Sequence, residues 1–131
     1  MVRKRAPVSD SELQILHALW KEGPATVRDV STRLAPQRRP WAYNTIQTLL
    51  NRLEAKGYVK ADKTGFAHTY RARVTREKFL AQQLRELAEK VCEGTTTPLV
   101  AAFVRRHRFR PEEIAEFRRL LDEFDRTKEK S

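Results

Sequence analysis

The chain has 131 residues, 27 Lys and Arg against 17 Asp and Glu, and a formal net charge of +10. That length suits one domain, or one small domain with an appendage, holding one modest core. With 40 % hydrophobic and 34 % charged residues it reads as a soluble globular chain and not a disordered one.

No stretch approaches the run of about 20 apolar residues that a transmembrane helix needs. The basic opening Met1-Val2-Arg3-Lys4-Arg5-Ala6-Pro7 has no apolar segment behind it, which argues against a secretory signal. A lone Cys92 excludes an intrachain disulfide and a thiolate metal cage. The expectation is a cytoplasmic protein with no membrane insertion. Its charge is uneven: residues 1–74 carry +8 and residues 75–131 carry +2. A concentrated positive field attracts nucleic acid, acidic membranes or acidic proteins, and composition alone does not choose among them.

Along the chain, Ser9 and Glu12 have the spacing of a capping box, ahead of Leu13, Leu16, Leu19 and Trp20 at helical intervals. Gly23-Pro24 should end that helix. Thr26, with Asp29 three residues on, should open a short second helix through Val30 to Leu34. Ala35-Pro36-Gln37-Arg38-Arg39-Pro40 is a connection. The third helix is expected from about Ala42 to Lys56, with Ile46, Leu49, Leu50 and Leu53 as its apolar stripe and Gly57 as its stop. Two short strands follow, over 58–61 and 67–72, joined by the turn residues Asp62-Lys63-Thr64-Gly65. Three helices running into a hairpin make a winged helix-turn-helix, whose helix-turn-helix connection is longer than usual.

After Thr75 the chain is helical again. Leu80, Leu84, Leu87 and Val91 form a seam ending near Gly94. Thr95-Thr96-Thr97-Pro98 reads as a turn and cap before the apolar segment Leu99–Val104. Pro111-Glu112-Glu113 opens a last helix striped by Ile114, Phe117, Leu121 and Phe124. Three striped segments in so few residues need a partner surface. They either fold back on residues 1–74 or interlock two chains in a symmetric dimer, and the dimer is the stronger expectation. The fold class is therefore mainly α with a small β-hairpin wing: a DNA-binding winged helix-turn-helix over 1–74 and a helical dimerisation region over 75–131.

With the third helix's apolar stripe in the core, its other face carries Asn44, Thr45, Gln47, Thr48, Asn51 and Arg52. Asn and Gln can bond adenine, Arg suits guanine and a Thr methyl can touch thymine. These six are the candidate base-reading residues for double-stranded DNA. Arg38, Arg39, Trp41 and Tyr43 beside the helix start, and Lys63, Thr64 and His68 in the wing, are the candidate backbone contacts. No carboxylate interrupts the segment from Asn44 to Leu53, which favours nucleic acid over a merely solvated face.

Leu19-Trp20-Lys21-Glu22-Gly23-Pro24-Ala25-Thr26-Val27-Arg28-Asp29-Val30 resembles the opening motif of the penicillinase-repressor and methicillin-resistance-repressor family, the BlaI/MecI type. The segment from Trp41 to Gly57 is similar to that family's recognition helix over nearly its whole length, and the likeness extends through the carboxy-terminal helices. The resemblance implies a homodimeric repressor of palindromic operators, active in antibiotic resistance regulation. It also implies a sensor protease as partner, with cleavage in the dimerisation region at an Asn-Phe bond. The matching position here is Ala102-Phe103, where the asparagine is replaced. The cysteine pattern of copper-responsive relatives is absent, which speaks against copper sensing. Leu84, Leu87, Val91, Leu99, Phe103, Ile114, Phe117, Leu121 and Phe124 are the expected dimerisation residues.

Little points to catalysis. His17, His68 and His107 have no paired spacing for a metal, Ser9 and Ser11 lack a His–Asp context, and no Gly-rich phosphate loop occurs. No enzyme, metal or cofactor is expected. The rival readings are a winged helix used as a protein-interaction module and a basic nucleic-acid binder without sequence preference.

Overall fold

Ser9 opens the first helix in the computed structural model, which describes residues 6–35 and 41–129. Its hydroxyl accepts from the Glu12 amide at 3.2 Å while the Glu12 carboxylate accepts from the Ser9 amide at 3.4 Å, so α1 (Asp10–Glu22) starts in a closed capping box. Gly23, at φ 88°, ends it in a conformation that a side chain would strain. Thr26 and Asp29 repeat the device at the start of α2 (Val27–Leu34). The Thr26 backbone and side-chain hydrogen bonds hold the Asp29 carboxyl below its ordinary range. α3 (Tyr43–Lys56) ends at Gly57 in the left-handed region.

The wing consists of β1 (Val59–Asp62) and β2 (Thr69–Ala72), antiparallel with Val59 opposite Ala72 and Ala61 opposite Tyr70. Both strands start one to two residues later than the sequence pattern places them. β1 starts late because the Tyr58 amide still donates to the Leu53 carbonyl of α3, and β2 starts late because of the turn. Asp62 stays in the ladder and its carboxylate accepts from the Thr64 hydroxyl at 2.7 Å and the Thr64 amide at 3.0 Å, so the loop spans 63–68. A separate bridge from β2 to a third segment was not legible in the sequence. Ala25, between α1 and α2, pairs with Tyr70 through reciprocal amide–carbonyl bonds of 2.9 and 2.8 Å.

These elements close over one core. Ile15, Leu16 and Leu19 of α1 meet Val30 and Leu34 of α2, the α3 stripe Ile46, Leu49, Leu50 and Leu53, and Tyr58, Val59 and Tyr70 from the hairpin. The Trp20 indole N–H donates to the Val74 carbonyl at 2.9 Å, and Phe79 packs its ring on Trp20 and Tyr58. At the α1–α2 corner, Arg33 donates to the Gly23 and Pro24 carbonyls and pairs with Glu22 at 2.9 Å. The result is a winged helix-turn-helix with α3 braced from behind by the core.

The chain divides into two compact units, residues 1–82 and 83–131. α4 (Arg76–Val91) runs from the first into the second, and α5 (Thr97–Arg106) and α6 (Pro111–Glu129) complete it. α4 stops where Glu93 and Gly94 take left-handed conformations and the Gly94 amide reaches back to Ala88. The threonine run serves α4 more than α5. Thr95 donates its hydroxyl to the Cys92 carbonyl at 2.7 Å, and Thr96, the residue before α5, makes no side-chain cap. The apolar segment over 99–104 is the middle of α5. A chain of aromatic contacts runs from Phe103 through His107 and Phe109 to Phe117.

Candidate nucleic-acid interface

The four buried residues of α3 fix what its other side presents. Asn44, Thr45, Thr48, Asn51 and Arg52 are exposed, and Gln47 is half-buried toward the wing. Asn44, Thr45, Thr48 and Arg52 line one shallow depression with Leu49. A larger groove, about 630 Å³, is bounded by Thr26, Val27 and Arg28 of the α2 start, Tyr43 and Gln47 of α3, and Phe66, Ala67 and His68 of the wing. The helix-turn-helix and the wing thus share one concave face.

The polar groups on this face are partly wired to each other. Thr48 donates its hydroxyl to the Asn44 carbonyl at 2.9 Å, so its methyl and the acceptor side of the hydroxyl oxygen are what it has left for contact. Gln47 Nε2 donates to Asn51 Oδ1 at 3.0 Å and to the Tyr70 hydroxyl at 2.7 Å. This restricts the bidentate adenine grip expected of a glutamine, because both amide hydrogens are already engaged.

The face combines an uncapped, acid-free helix start with charges of both signs in the wing. α1 and α2 have carboxylates in their capping boxes, whereas α3 has no acidic residue in its first turn and no side-chain cap. Its leading amides carry partial positive charge. In the wing, Lys63 Nζ lies 4.0 Å from the Glu54 carboxylate, and both side chains keep much of their exposure. The Thr64 hydroxyl and amide hold the Asp62 carboxyl below its ordinary range.

Of the expected backbone contacts, Tyr43 is 59 % exposed and Lys63, Thr64 and His68 are exposed. Trp41 is half-buried and packs part of its side chain against the core. Arg38 and Arg39 lie outside the described residues. Five groove residues, Thr26, Val27, Arg28, Phe66 and Ala67, lie outside the site expected from the sequence, and Arg28 and Phe66 are the ones with chemistry of their own to offer. Arg28 was hidden inside a short helix, whereas Phe66 had a visible signal as an apolar residue inside a turn, and it is fully exposed.

In the second unit the expected dimerisation residues stand out of any single-chain core. Leu84, Leu87, Val91, Phe103, Ile114, Phe117, Leu121 and Phe124 are exposed and Leu99 is half-buried. Val100, Val104 and Leu120, outside the sequence-level set, are exposed too. Among the described residues of 83–131, Ala88 alone is a buried hydrophobic. Ala102 and Phe103 lie inside α5, both exposed. No group of three or more His, Cys, Asp or Glu side chains among the described residues could hold a metal.

The family described as penicillinase repressor matches residues 8–123. The penicillinase repressor of Bacillus licheniformis is 26 % identical over 122 residues, covering 93 % of this chain and 94 % of that protein. The methicillin resistance regulatory protein MecI of Staphylococcus aureus (strain N315) is 25 % identical, covering 93 % and 98 %. Among solved structures, B. licheniformis BlaI, in monomeric form in complex with the blaP half-operator, superposes with a TM-score of 0.48 at 29 % identity, covering 58 % of this chain and 92 % of that one.

Proposed function

The chain belongs to the penicillinase repressor family of DNA-binding regulators, and from that premise we propose that it represses transcription as a homodimer on a palindromic operator. The observation that carries the reading is the exposed face of α3. It is polar, has no carboxylate from Asn44 to Leu53, and lies across a continuous apolar core that fixes its orientation. A helix so presented fits the major groove, with its amino-terminal half against base edges. Asn44, Thr45, Gln47, Thr48, Asn51 and Arg52 read the bases. Tyr43, Lys63, Thr64 and His68, with Arg38 and Arg39 from the preceding connection, hold the backbone.

The exposed apolar faces of α4, α5 and α6 support the dimer, because so much unburied apolar surface is unusual on a lone chain. Two-fold pairing places the half-sites about 10 base pairs apart, centre to centre, or a multiple of that. The protein works in the cytoplasm. Among the described residues no helix is long and apolar enough to cross a membrane, so a membrane signal would reach it through a separate sensor.

Relief of repression follows cleavage between Ala102 and Phe103 by a sensor protease. That bond is inside α5, which must unwind locally to enter an active site. Sequencing the fragment formed during derepression should give an amino terminus at Phe103, and an intact chain in derepressed cells excludes this route.

A footprint on the DNA upstream of the protein's own gene, with excess non-specific competitor at physiological salt, tests the main reading. Two-fold-symmetric protection is expected. Protection lost evenly to competitor would mean a charge-driven binder, and no protection would mean a protein-interaction module.

A further inference from the structure

Gln47 and Tyr70 are 23 residues apart in sequence and meet where the recognition helix touches the wing. Gln47 Nε2 donates one hydrogen to the Tyr70 hydroxyl at 2.7 Å and the other to Asn51 Oδ1 at 3.0 Å. A carboxamide nitrogen has two hydrogens, so its donor capacity is spent, and only Oε1 remains for a ligand.

Tyr70 is well placed to enforce this. It is 1 % exposed, it pairs with Ala61 across the hairpin, and its backbone exchanges two hydrogen bonds with Ala25. The hydroxyl therefore cannot follow Gln47 outward without disturbing the wing. Gln47 meets its ligand already oriented, with its rotamer freedom spent beforehand.

Resting on the reading of α3 as the base-reading helix, we propose that Tyr70 is a positioning residue for sequence recognition that fixes Gln47 as a hydrogen-bond acceptor. Gln47 Oε1 then reads an exocyclic amino group in the major groove, that of adenine N6 or cytosine N4. It does not grip adenine with both amide atoms. Asn51, whose Oδ1 is taken by Gln47, keeps its Nδ2 hydrogens for an acceptor such as a purine N7. Tyr70 itself touches no DNA, and its hydroxyl acts only through Gln47.

The test is Tyr70→Phe, which keeps the buried ring and removes the hydroxyl. Binding is measured by fluorescence anisotropy to the footprinted operator and to a panel with each half-site base pair replaced in turn. Tyr70→Phe should relax discrimination about tenfold at one base pair, where wild type prefers an amino-bearing base, and leave other positions and the salt dependence alone. In a Gln47→Ala background the same substitution should do nothing further. A uniform loss across the panel, an unchanged profile, or an equal effect in the Gln47→Ala background overturns the proposal.

A DNA-free readout separates this proposal from the reading beneath it. In the free protein the Gln47 side-chain amide protons should give resolved, exchange-protected NMR signals that lose protection in Tyr70→Phe. Those signals in a wild type without base preference would fault the base-reading role of α3. Their absence would fault the Tyr70 contact itself.

Discussion

The ammonium of Lys56 lies 2.7 and 2.9 Å from the two carboxylate oxygens of Glu12, joining the last turn of α3 to the first turn of α1. Glu12 is 2 % exposed and is also the capping residue for Ser9, while the same ammonium donates to the Pro7 carbonyl at 2.7 Å. Lys56→Met would strand a buried carboxylate. Breaking one side of such a pair costs about 3–5 kcal/mol, and the lower end is expected because Lys56 keeps a quarter of its side-chain exposure. Urea unfolding at pH 7 should register the loss, and a change below about 1 kcal/mol would mean the pair contributes no more than a surface contact.

The same pair sets an acid dependence. Burial pushes the Glu12 carboxyl up, but hydrogen bonds from Lys56 and Ser9 outweigh it and hold the group below its ordinary range. The folded state therefore binds this proton less readily than the unfolded chain. Its stabilisation is complete above the unfolded value and fades as pH falls through the folded one. Unfolding of wild type and Glu12→Gln between pH 7 and pH 3 should show a stability difference that narrows on the acid side. A constant difference would mean that ionisation of Glu12 is not what stabilises the fold.

Trp20 closes the other end of α1. Its indole N–H donates to the Val74 carbonyl at 2.9 Å, and its ring meets His17 edge-on and Phe79 at 5.4 Å. Trp20→Phe removes the donor and part of the packing, for an expected loss of about 2 kcal/mol. Trp41 remains as the fluorescent probe of unfolding. A midpoint in urea equal to that of wild type would show the bond to be dispensable.

What was legible in the sequence follows from how local each signal is. The capping boxes at Ser9 and Thr26 and the stop at Gly57 need only a few neighbouring residues, and they stand where the sequence puts them. The α3 stripe also emerges intact because four leucines and isoleucines share one helix face. α1 is less clear. Leu13 belongs to the apparent stripe but is half-buried, while Ile15 is fully enclosed, because α1 has neighbours on two sides. The contacts that organise the candidate interface were hidden for a different reason. Ala25 with Tyr70, Gln47 with Tyr70 and Glu12 with Lys56 join residues 23 to 45 apart, and no local pattern announces such pairs. Polar residues on α3 were recognisable, but their wiring to one another was not.

Phosphate and base contacts should separate by their response to salt. Lys63→Ala is expected to weaken binding to all sequences alike and to lower the salt slope by about 1. Asn44→Ala should instead cost about 1–3 kcal/mol on the operator and relax preference at one position with the slope unchanged. Anisotropy titrations at several salt concentrations, on operator and scrambled DNA, distinguish the two. If Lys63→Ala leaves the slope as it was, its pairing with Glu54 outweighs any phosphate contact.

The apolar face of α6 gives the sharpest test of assembly. Leu121 is 66 % exposed and Phe124 is 67 % exposed, one turn apart, in line with Phe117 and Ile114. Charges at 121 and 124 would have to be desolvated in any interface built on this face, a cost that association cannot absorb. Leu121→Asp with Phe124→Asp should therefore convert a wild-type dimer into a monomer by sedimentation equilibrium. Because both residues belong to the second unit, the core around α3 is untouched, and half-operator binding should persist while full-operator affinity falls. Loss of half-site binding as well would mean that α6 supports the DNA-binding unit directly. A wild type that sediments as a monomer at micromolar concentration would remove the dimer from the mechanism.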